Sequence, residues 1–416
     1  MRSEVRPNLA LYPTLVIGLS TAAFMATRTV RDGLLFNSRG PSQLPALYAL
    51  THAGLAIAAV FHVAAMRRFG TRHTRIGVFG TVALVLMMAT PYLDTDHPRL
   101  VASLFPLVPV MFAALFASGW LLAGDLLDGL PSDVLRKSYA NLATAGLVGG
   151  MIGSISAKAL ASISSPRMAG FLSGVLLLAA LCVALLGHRR LPVGGPPGGP
   201  RPPPRIAAIT LLRTDRTART MAILACLGTM SSMLIEFQVY ATVAAGGQAN
   251  PQIFGNLYLL TGALALVVQL LVAPRLLDRF GVLGGLLFLP FVVLLGGGAV
   301  TWLAVPAVAL SFRATETAVR NSIHQTCWEQ LFLGFDAERR NVIKTAVDGV
   351  VARFAGIATA GLVWLVLTVA PANSGRILIV LAIVAIGVAW LVRTRALRSL
   401  GCTEVVAEFA IPVPDT

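Results

Sequence analysis

The sequence predicts an all-α membrane protein in which about twelve transmembrane helices form two pseudo-symmetric six-helix bundles. Its 416 residues are 56% hydrophobic and only 12% charged, with a mean hydropathy of +0.78, whereas a soluble domain carries about 25% charged residues. The apolar residues fall in blocks of roughly twenty, which is enough to cross about 30 Å of hydrocarbon. Short motifs of the first half also recur in the second half.

Each apolar block is predicted to be one spanning helix, and we call the blocks segments 1 to 12. They cover 10–35, 45–66, 76–94, 100–125, 139–163, 168–187, 220–244, 253–273, 282–300, 303–332, 343–369 and 375–393. The first block continues into Arg28 without a small-residue cleavage site, so we interpret it as a spanning helix and not as a cleavable signal peptide.

The net charge of +15 is distributed in a way that favours a membrane over nucleic acid as the partner. Arginine-rich loops such as 67–75 alternate strictly with loops that are acidic or poor in charge, such as 94–99. The positive-inside rule then places both termini in the cytoplasm. We therefore expect a multi-pass protein of a bacterial inner membrane, acting as a monomer and binding no nucleic acid.

A linker rich in proline, glycine and arginine divides the chain, because its run LPVGGPPGGPRPPP cannot form a helix. The predicted parts are a bundle at 1–187, a cytoplasmic linker with a surface segment at 188–219, a bundle at 220–395 and a cytoplasmic tail at 396–416.

The two bundles look like repeats. The motif MRRFG at 66–70 matches LDRFG at 277–281, and TAAFMATR at 21–28 matches TMSSMLIE at 229–236 at nearly the same separation. Parallel six-helix repeats with inside termini are the architecture of major facilitator transporters, whose substrate site lies between the halves.

Charged residues inside the predicted helices mark the candidate site, since each one needs a partner, a water-filled cavity or a function. They occur on segments 1, 4, 5, 7, 10 and 11, while segments 3, 6, 9 and 12 are almost free of them. The central ones are Arg28, Arg31, Asp32, Lys158, Glu236, Arg313, Glu316, Arg320, Glu329, Lys344, Asp348 and Arg353, with Asp125 and Asp128 near a helix end.

Helical spacing predicts local ion pairs for Arg28 with Asp32, Arg313 with Glu316, Glu316 with Arg320 and Lys344 with Asp348. These pairs could be structural braces or gates. Alternatively, the cations left over could bind an anion, and guanidinium groups suit phosphate because their planar fork binds two oxygens. The two interpretations stay open from the residues alone.

Other features have structural interpretations. Segment 5 carries Gly146, Gly149, Gly150 and Gly153 at GxxxG spacing, which predicts close packing against another helix. His52 is expected to be a buried polar residue, and the scattered cysteines are expected to pack as apolar side chains. No phosphate-binding loop, dinucleotide fingerprint, metal-ligand spacing or catalytic triad occurs, so we expect neither an enzyme nor a cofactor.

Three stretches resemble the nucleotide transporter family, the ATP/ADP translocases of plastids and obligate intracellular bacteria. The run RTVRDGLL at 28–35 resembles the family's signature in the first helix, and MLIEF at 233–237 is similar to its acidic position in helix 7. The stretch from RATETAVRNS (313–322) through WEQLF (328–332) to 353 is similar to its pattern across helices 10 and 11.

This resemblance implies a major facilitator-like fold and exchange of ATP for ADP or related nucleotides. It places the family's functional basic residue of helix 1 on Arg31, its helix 7 acid on Glu236 and its helix 11 lysine on Lys344. The chain departs from the pattern in helix 4, where Ser118 stands in place of glutamate, although Asp125 could substitute.

The leading hypothesis is therefore alternating-access antiport of nucleotides. Arg28, Arg31, Arg320, Lys344 and Arg353 are expected to bind phosphates, and Glu236 and Asp348 to hold these cations in the empty state. The base is expected to stack on an aromatic ring, with the candidates Trp120, Phe237, Tyr240 and Tyr258. The alternatives are a transporter of another organic anion or amphiphile, coupled to protons through Glu236 or Asp32, and a membrane sensor or scaffold without transport.

Overall fold

The computed structural model describes residues 9–39, 41–94, 96–127, 132–189, 208–245, 250–303, 305–332, 335, 337–371 and 374–399. Within these residues every regular element is helical and no strand occurs, as the sequence predicts. Most of the predicted linker, Asp128, Cys402 and most of the predicted tail lie outside the described residues.

The first half comprises segments 1 to 6. Segment 1 is Leu11–Arg39, segments 2 and 3 lie in Leu44–Ala89, and segments 4, 5 and 6 are Pro98–Leu127, Ser132–Ile163 and Pro166–His188. Short 3-10 turns at Pro41–Gln43 and Thr90–Tyr92 precede segments 2 and 4.

The second half comprises segments 7 to 12, and three of its segments contain a π-helical turn. Segment 7 is Arg216–Ala245, and the short helix Ala208–Thr214 precedes it within the predicted surface run. Segments 8 and 9 run through Pro251–Val267, the π turn Val268–Val272 and Ala273–Leu303. Segment 10 joins Pro306–Val319, the π turn Arg320–His324 and Gln325–Leu331. Segment 11 joins Ala337–Lys344, the π turn Thr345–Val351 and Ala352–Val369, and segment 12 is Ser374–Ser399.

The repeated RFG motif has the same conformation in both halves. Gly70 has φ 77° and ψ 164°, and Gly281 has φ 64° and ψ −176°. Only glycine adopts this region readily, because a Cβ atom would clash with the backbone. Each glycine therefore ends one spanning helix and starts the next, which separates segment 2 from 3 and segment 8 from 9.

Proline is the first residue of four even-numbered helices. Pro98, Pro166, Pro251 and Pro306 stand at the first positions of segments 4, 6, 8 and 10. The first helical N–H has no intrahelical acceptor, so proline loses nothing there and its fixed φ suits the helix. At segment 8 the Asn250 side chain also caps the helix by accepting a hydrogen bond from the Ile253 N–H at 2.9 Å.

Segment 1 packs against segments 4, 5 and 6, and small residues allow its approach to segment 5. A methyl group at Gly149 would overlap the backbone of Gly18, and one at Gly153 would overlap that of Ala22. The predicted GxxxG contact is confirmed, with Gly149 and Gly153 as its closest positions.

The two halves meet through symmetric pairs of helices. Segment 5 packs against segment 8, and segment 11 packs against segment 2. Exchanging the halves converts one pair into the other, as expected for two six-helix repeats. Segment 1 also contacts segment 8.

Among the described residues, nine helices are long and apolar enough to cross a membrane, and together they cover every segment except 1 and 10. Those two carry Arg28, Arg31, Asp32, Arg313, Glu316 and Arg320. Large apolar side chains are exposed on the segments that are almost free of charged residues, as expected for helices that face lipid. They include Leu84 and Met88, Phe171 and Leu178, Phe291 and Leu295, and Val384 and Trp390 on segments 3, 6, 9 and 12.

Candidate functional site

A cavity of about 290 Å³ lies between the two halves. Two of the three charged residues predicted on segment 1, Arg28 and Arg31, line it. Its walls come from segments 1, 2, 4, 7 and 10. They are formed by Phe24, Arg28, Arg31, Tyr48, Thr51, His52, Phe105, Pro109, Thr229, Ser232, Met233, Glu236 and Arg320.

Arg31 is buried, and it binds two residues of the first half, Asp32 and Phe105. Its guanidinium lies 2.5 Å from Asp32 Oδ1, and it donates to the Phe105 carbonyl at 2.9 Å. That carbonyl has no helical donor, since the residue four positions later is Pro109 and lacks an N–H. The guanidinium also lies 4.4 Å from the centre of the Phe105 ring. Arg31 therefore fastens segment 1 to the proline-interrupted part of segment 4.

Asp32 is completely buried and joins the two halves. It accepts hydrogen bonds from Arg28 at 3.5 Å and from the hydroxyl group of Tyr258 on segment 8. Tyr240 on segment 7 donates to it at 3.4 Å. A buried carboxylate is stable when cations and hydrogen-bond donors surround it in this way.

Glu236 on segment 7 bridges cations from opposite halves. It accepts a hydrogen bond from Arg28 of segment 1 at 3.2 Å and one from Arg313 of segment 10 at 2.6 Å. The predicted pair of Arg28 with Asp32 is present, and Arg28 also lies 4.7 Å from the centre of the Tyr258 ring.

Segment 10 supplies a second buried carboxylate cluster. Glu316 is completely buried and accepts hydrogen bonds from Arg313 at 2.9 Å and from Arg320. Both pairs have the helical spacing predicted for them. Arg320 begins the π turn, and π turns occur frequently at functional sites.

The network carries an excess of positive charge. It contains four guanidinium groups, on Arg28, Arg31, Arg313 and Arg320, and three carboxylates, on Asp32, Glu236 and Glu316. Charges placed in a low-dielectric interior must be balanced to be stable. The uncompensated cation makes the cavity favourable for an anion.

Aromatic rings pack together where segments 1, 7 and 8 meet. The Phe36 ring lies 4.7 Å from the Tyr240 ring and 5.6 Å from the Phe254 ring, measured between centroids. Beside them Gly33 lies directly against Pro251. We call the end of the molecule that carries residues 41 and 250 the sealed end.

At the opposite end, which carries the RFG motifs, the apolar clusters stay within one half. Ile17, Ala123, Leu127 and Leu142 pack together in the first half. Trp328, Phe332, Ile343 and Val347 pack in the second. We call this the linker end.

The structure places the predicted residues of segment 11 away from the cavity walls. Lys344 pairs with Glu329 and not with Asp348, so that prediction is wrong. Asp348 instead accepts a hydrogen bond from the Trp328 indole at 3.2 Å. Both side chains take their partners from segment 10 and not from each other. Arg353 lies near His52 but is not among the lining residues.

Other predicted residues lie elsewhere. Lys158 donates to Asn256 of segment 8 at 2.7 Å, which links the halves toward the sealed end. Asp125 forms an ion pair at 3.3 Å with Arg75, an arginine that does not line the cavity. Ser118 is buried, Trp120 stacks on Tyr139, and Phe237 lies in the apolar core. Of the predicted stacking rings, Tyr240 and Tyr258 are the two that contact the ion-pair network.

Sequence reasoning missed the contribution of segment 2. Tyr48, Thr51 and His52 line the cavity together. Their spacing of three and four residues places them on one face of a helix, and this polar face within an apolar segment was the available signal.

Comparison with known proteins identifies the fold. No family model and no curated protein matches the chain. Solved structures match over nearly the whole length. The chain resembles the POT family transporter PepTSo at TM-score 0.71 and 11% identity, covering 94% of this chain and 99% of that one. It resembles the nucleoside transporter NupG at TM-score 0.65 and 11% identity, covering 94% and 98%.

A bacterial homologue of the iron transporter ferroportin in an inward-facing state matches at TM-score 0.64 and 14% identity, covering 95% of this chain and 99% of that one. At these identities the likeness establishes architecture and not substrate, and the resemblance to the ATP/ADP translocases stays a prediction. The chain is thus an all-α membrane protein with the major facilitator fold.

Proposed function

We propose that this protein transports nucleotides of the ATP/ADP type across the membrane by exchange and alternating access. The observation that carries the proposal is the cavity between the halves, with its buried arginines and its excess of positive charge. Positively charged guanidinium forks are the groups that bind phosphate oxygens in pairs.

Arg28 is the cation best placed to receive the phosphates. Its side chain is 23% exposed, whereas that of Arg31 is 3% exposed and bound on all sides by Asp32 and Phe105. Arg320 also lines the cavity, with 26% of its side chain exposed. An entering phosphate would bind Arg28 and Arg320 and compete with Glu236 and Glu316 for them.

This competition would couple binding to movement of the halves. In the structure, Glu236 holds Arg28 of the first half and Arg313 of the second. A bound anion would replace the Arg28–Glu236 pair and so weaken a bond between the halves. The empty carrier would be held in one state, and its return would require a bound anion. That behaviour gives exchange and not net flux.

The predicted topology gives this cycle a direction. Arg67, Arg68 and Arg72 are exposed at the linker end, where the positive-inside rule places the cytoplasm. The cavity would then be accessible from the cytoplasm and closed at the sealed end. We propose a bacterial inner-membrane monomer with cytoplasmic termini, in which the bundles 1–187 and 220–395 move as units.

Exchange in proteoliposomes tests the proposal. Vesicles loaded with ADP should take up labelled ADP or ATP, and empty vesicles should not. Arg28→Gln should abolish uptake, while Arg279→Gln, at an arginine that lies over the Phe280 ring away from the cavity, should retain it. Absence of exchange by a folded preparation would contradict the proposal. Nucleotide binding without flux would instead support a sensor or scaffold.

The second candidate is a carrier of another organic anion or amphiphile, coupled to protons. It is favoured by two departures from the nucleotide transporter pattern, since Ser118 replaces the helix 4 acid and Lys344 lies away from the cavity walls. Glu236 or Asp32 would then exchange a proton. Uptake that follows an imposed pH gradient and ignores nucleotides would select this function.

A further inference from the structure

Segment 2 presents a neutral polar face to the cavity that the ion-pair network does not use. Tyr48, Thr51 and His52 all line the cavity, yet none of them takes part in an ion pair among the described residues. The Thr51 hydroxyl group is already bonded to the Leu47 carbonyl at 2.7 Å. The two remaining side chains determine what this wall can recognise.

The Tyr48 hydroxyl group is buried without a hydrogen-bond partner in the part of the chain that the structure describes. The side chain is 6% exposed, and its ring meets the Phe105 ring edge-on at 5.6 Å between centroids. Tyr48 lines the cavity together with Arg28, Arg31 and Glu236. Leaving a buried hydroxyl unpaired costs free energy, so such a group calls for a partner.

The His52 ring is held in place but has an unpaired nitrogen. Its Nδ1 atom is buried without a hydrogen-bond partner among the described residues. The ring packs so closely on Gly356 of segment 11 that an added methyl group there would overlap it. Glu236 lines the same cavity as the ring. A fixed ring with a free nitrogen is suited to making one directional hydrogen bond.

The cavity therefore has two chemically different walls. Arg28 and Arg320 offer positive charge, and the Arg320 Nε atom is also buried without a partner in the described structure. Tyr48 and His52 offer uncharged donors and acceptors. An anion that binds only the two arginines would leave the second wall unsatisfied, and the alkyl part of an alkyl phosphate has no polar group to offer it.

We propose that Tyr48 and His52 bind an uncharged, hydrogen-bonding part of the substrate, such as a hydroxyl or amide group, while the arginines bind its anionic part. The inference rests on the proposed function and assigns residues to the part of the substrate that lies beyond its phosphates. The substrate is an organic phosphate whose remainder carries polar groups, as a sugar or a base does. Tyr48 and His52 act as specificity residues for that remainder.

Competition binding on the purified full chain tests the assignment, with labelled ADP as the ligand and unlabelled ADP or inorganic pyrophosphate as competitors. Tyr48→Phe and His52→Leu should each weaken ADP binding about tenfold and leave pyrophosphate binding within about twofold. His52→Asn, which keeps a polar group near the Nδ1 position, should recover most of the loss. Arg28→Gln should weaken both competitors.

Tyr139→Phe is the matched control, because Tyr139 stacks on Trp120 outside the cavity. It should bind both competitors like the native protein. If Tyr48→Phe and His52→Leu weaken both competitors equally, or neither, the assignment is overturned while nucleotide binding stands. If direct titration shows that the native protein binds pyrophosphate but not ADP, both the assignment and the nucleotide proposal are overturned.

Discussion

Arg28 of segment 1 and Glu236 of segment 7 form an ion pair across the two halves, with 3.2 Å between Nη2 and Oε1. The two residues are 208 positions apart, and so are Asp32 and Tyr240, which are also hydrogen-bonded. This is the separation at which TAAFMATR matches TMSSMLIE. Segments 1 and 7 are therefore equivalent helices that meet each other at equivalent positions.

Replacing Glu236 with Gln should affect both binding and transport. The amide does not neutralise Arg28 and Arg313, so an anion gains a freer site, and ADP should bind about tenfold more tightly, or ~1.4 kcal/mol. Empty vesicles should also take up labelled ADP, since the pair that holds the empty carrier in one state is lost. Isothermal titration and proteoliposome uptake measure the two effects. Glu329→Gln, at an exposed pair outside the cavity, is the control, and weaker ADP binding by Glu236→Gln would contradict the competition mechanism.

Arg31 and Arg28 should differ in what they contribute to stability. Arg31→Gln leaves Asp32 with a reduced counter-charge in the interior and the Phe105 carbonyl without its donor. Breaking such a buried pair typically lowers the free energy of unfolding by about 3–5 kcal/mol. Arg28→Gln should lower it by much less, because Arg28 is partly exposed and Asp32 keeps Arg31. Thermal melting in detergent compares the variants, and equal melting temperatures would refute the distinction.

Lys344→Ala should leave both stability and ADP affinity nearly unchanged. Lys344 and Glu329 have 42% and 44% of their side chains exposed. Exposed pairs of this kind typically contribute about 0–1 kcal/mol. The resemblance to the nucleotide transporters implies instead that this variant loses ADP binding. Its ADP affinity therefore distinguishes the role implied by the resemblance from the exposed position seen in the structure. A large loss of ADP binding would show that Lys344 reaches the substrate in another state of the cycle.

Local sequence patterns correctly predicted the ion pairs that form within a single regular helix. The spacing of Arg28 with Asp32, and of Glu316 with both Arg313 and Arg320, gave the observed pairs because helix geometry alone brings them together. The same rule was wrong for Lys344 and Asp348. There the two side chains find partners on segment 10, and the spacing within one helix carries no information about contacts with another helix.

Contacts between distant segments were harder to predict. The hydrogen bond from Tyr258 to Asp32 depends on how the halves pack, and one sequence carries little information about that. The repeat did contain a usable signal for Arg28 and Glu236. Residues at equivalent positions of equivalent helices approach each other when those helices lie beside a two-fold axis. Polar positions on segment 2, such as Tyr48, gave a weaker signal because an isolated tyrosine is common in membrane helices.

Asp94 should stabilise the loop between segments 3 and 4 in a pH-dependent way. Hydrogen bonds from His97 and Arg167 lower the pKa of its carboxyl from 3.8 to about 2. The stabilising effect should therefore be complete above about pH 4 and lost as the pH falls toward 2. Melting temperatures of the native protein and Asp94→Asn should differ at pH 5 and converge near pH 2. A difference that stays constant over this range would contradict a role for the ionised carboxylate.

Replacing the packing glycines on segment 5 with alanine should destabilise the first half. The size of the effect should depend on which atoms the added methyl group contacts. At Gly149 and Gly153 it meets the backbone of Gly18 and Ala22, which cannot move without separating segment 5 from segment 1. At Gly146 the nearest atom lies 3.6 Å away, an ordinary contact.

Gly149→Ala and Gly153→Ala should each lower the free energy of unfolding by about 1–3 kcal/mol, as overpacking does. Gly146→Ala should be neutral or raise it by up to about 1 kcal/mol, because alanine favours the helix. Melting temperatures in detergent give the comparison, and Gly146→Ala controls for the change in helix propensity. Since segment 1 carries Arg28 and Arg31, the two destabilising variants should also weaken ADP binding. Equal stability of all three variants would mean that segments 1 and 5 are not in close contact.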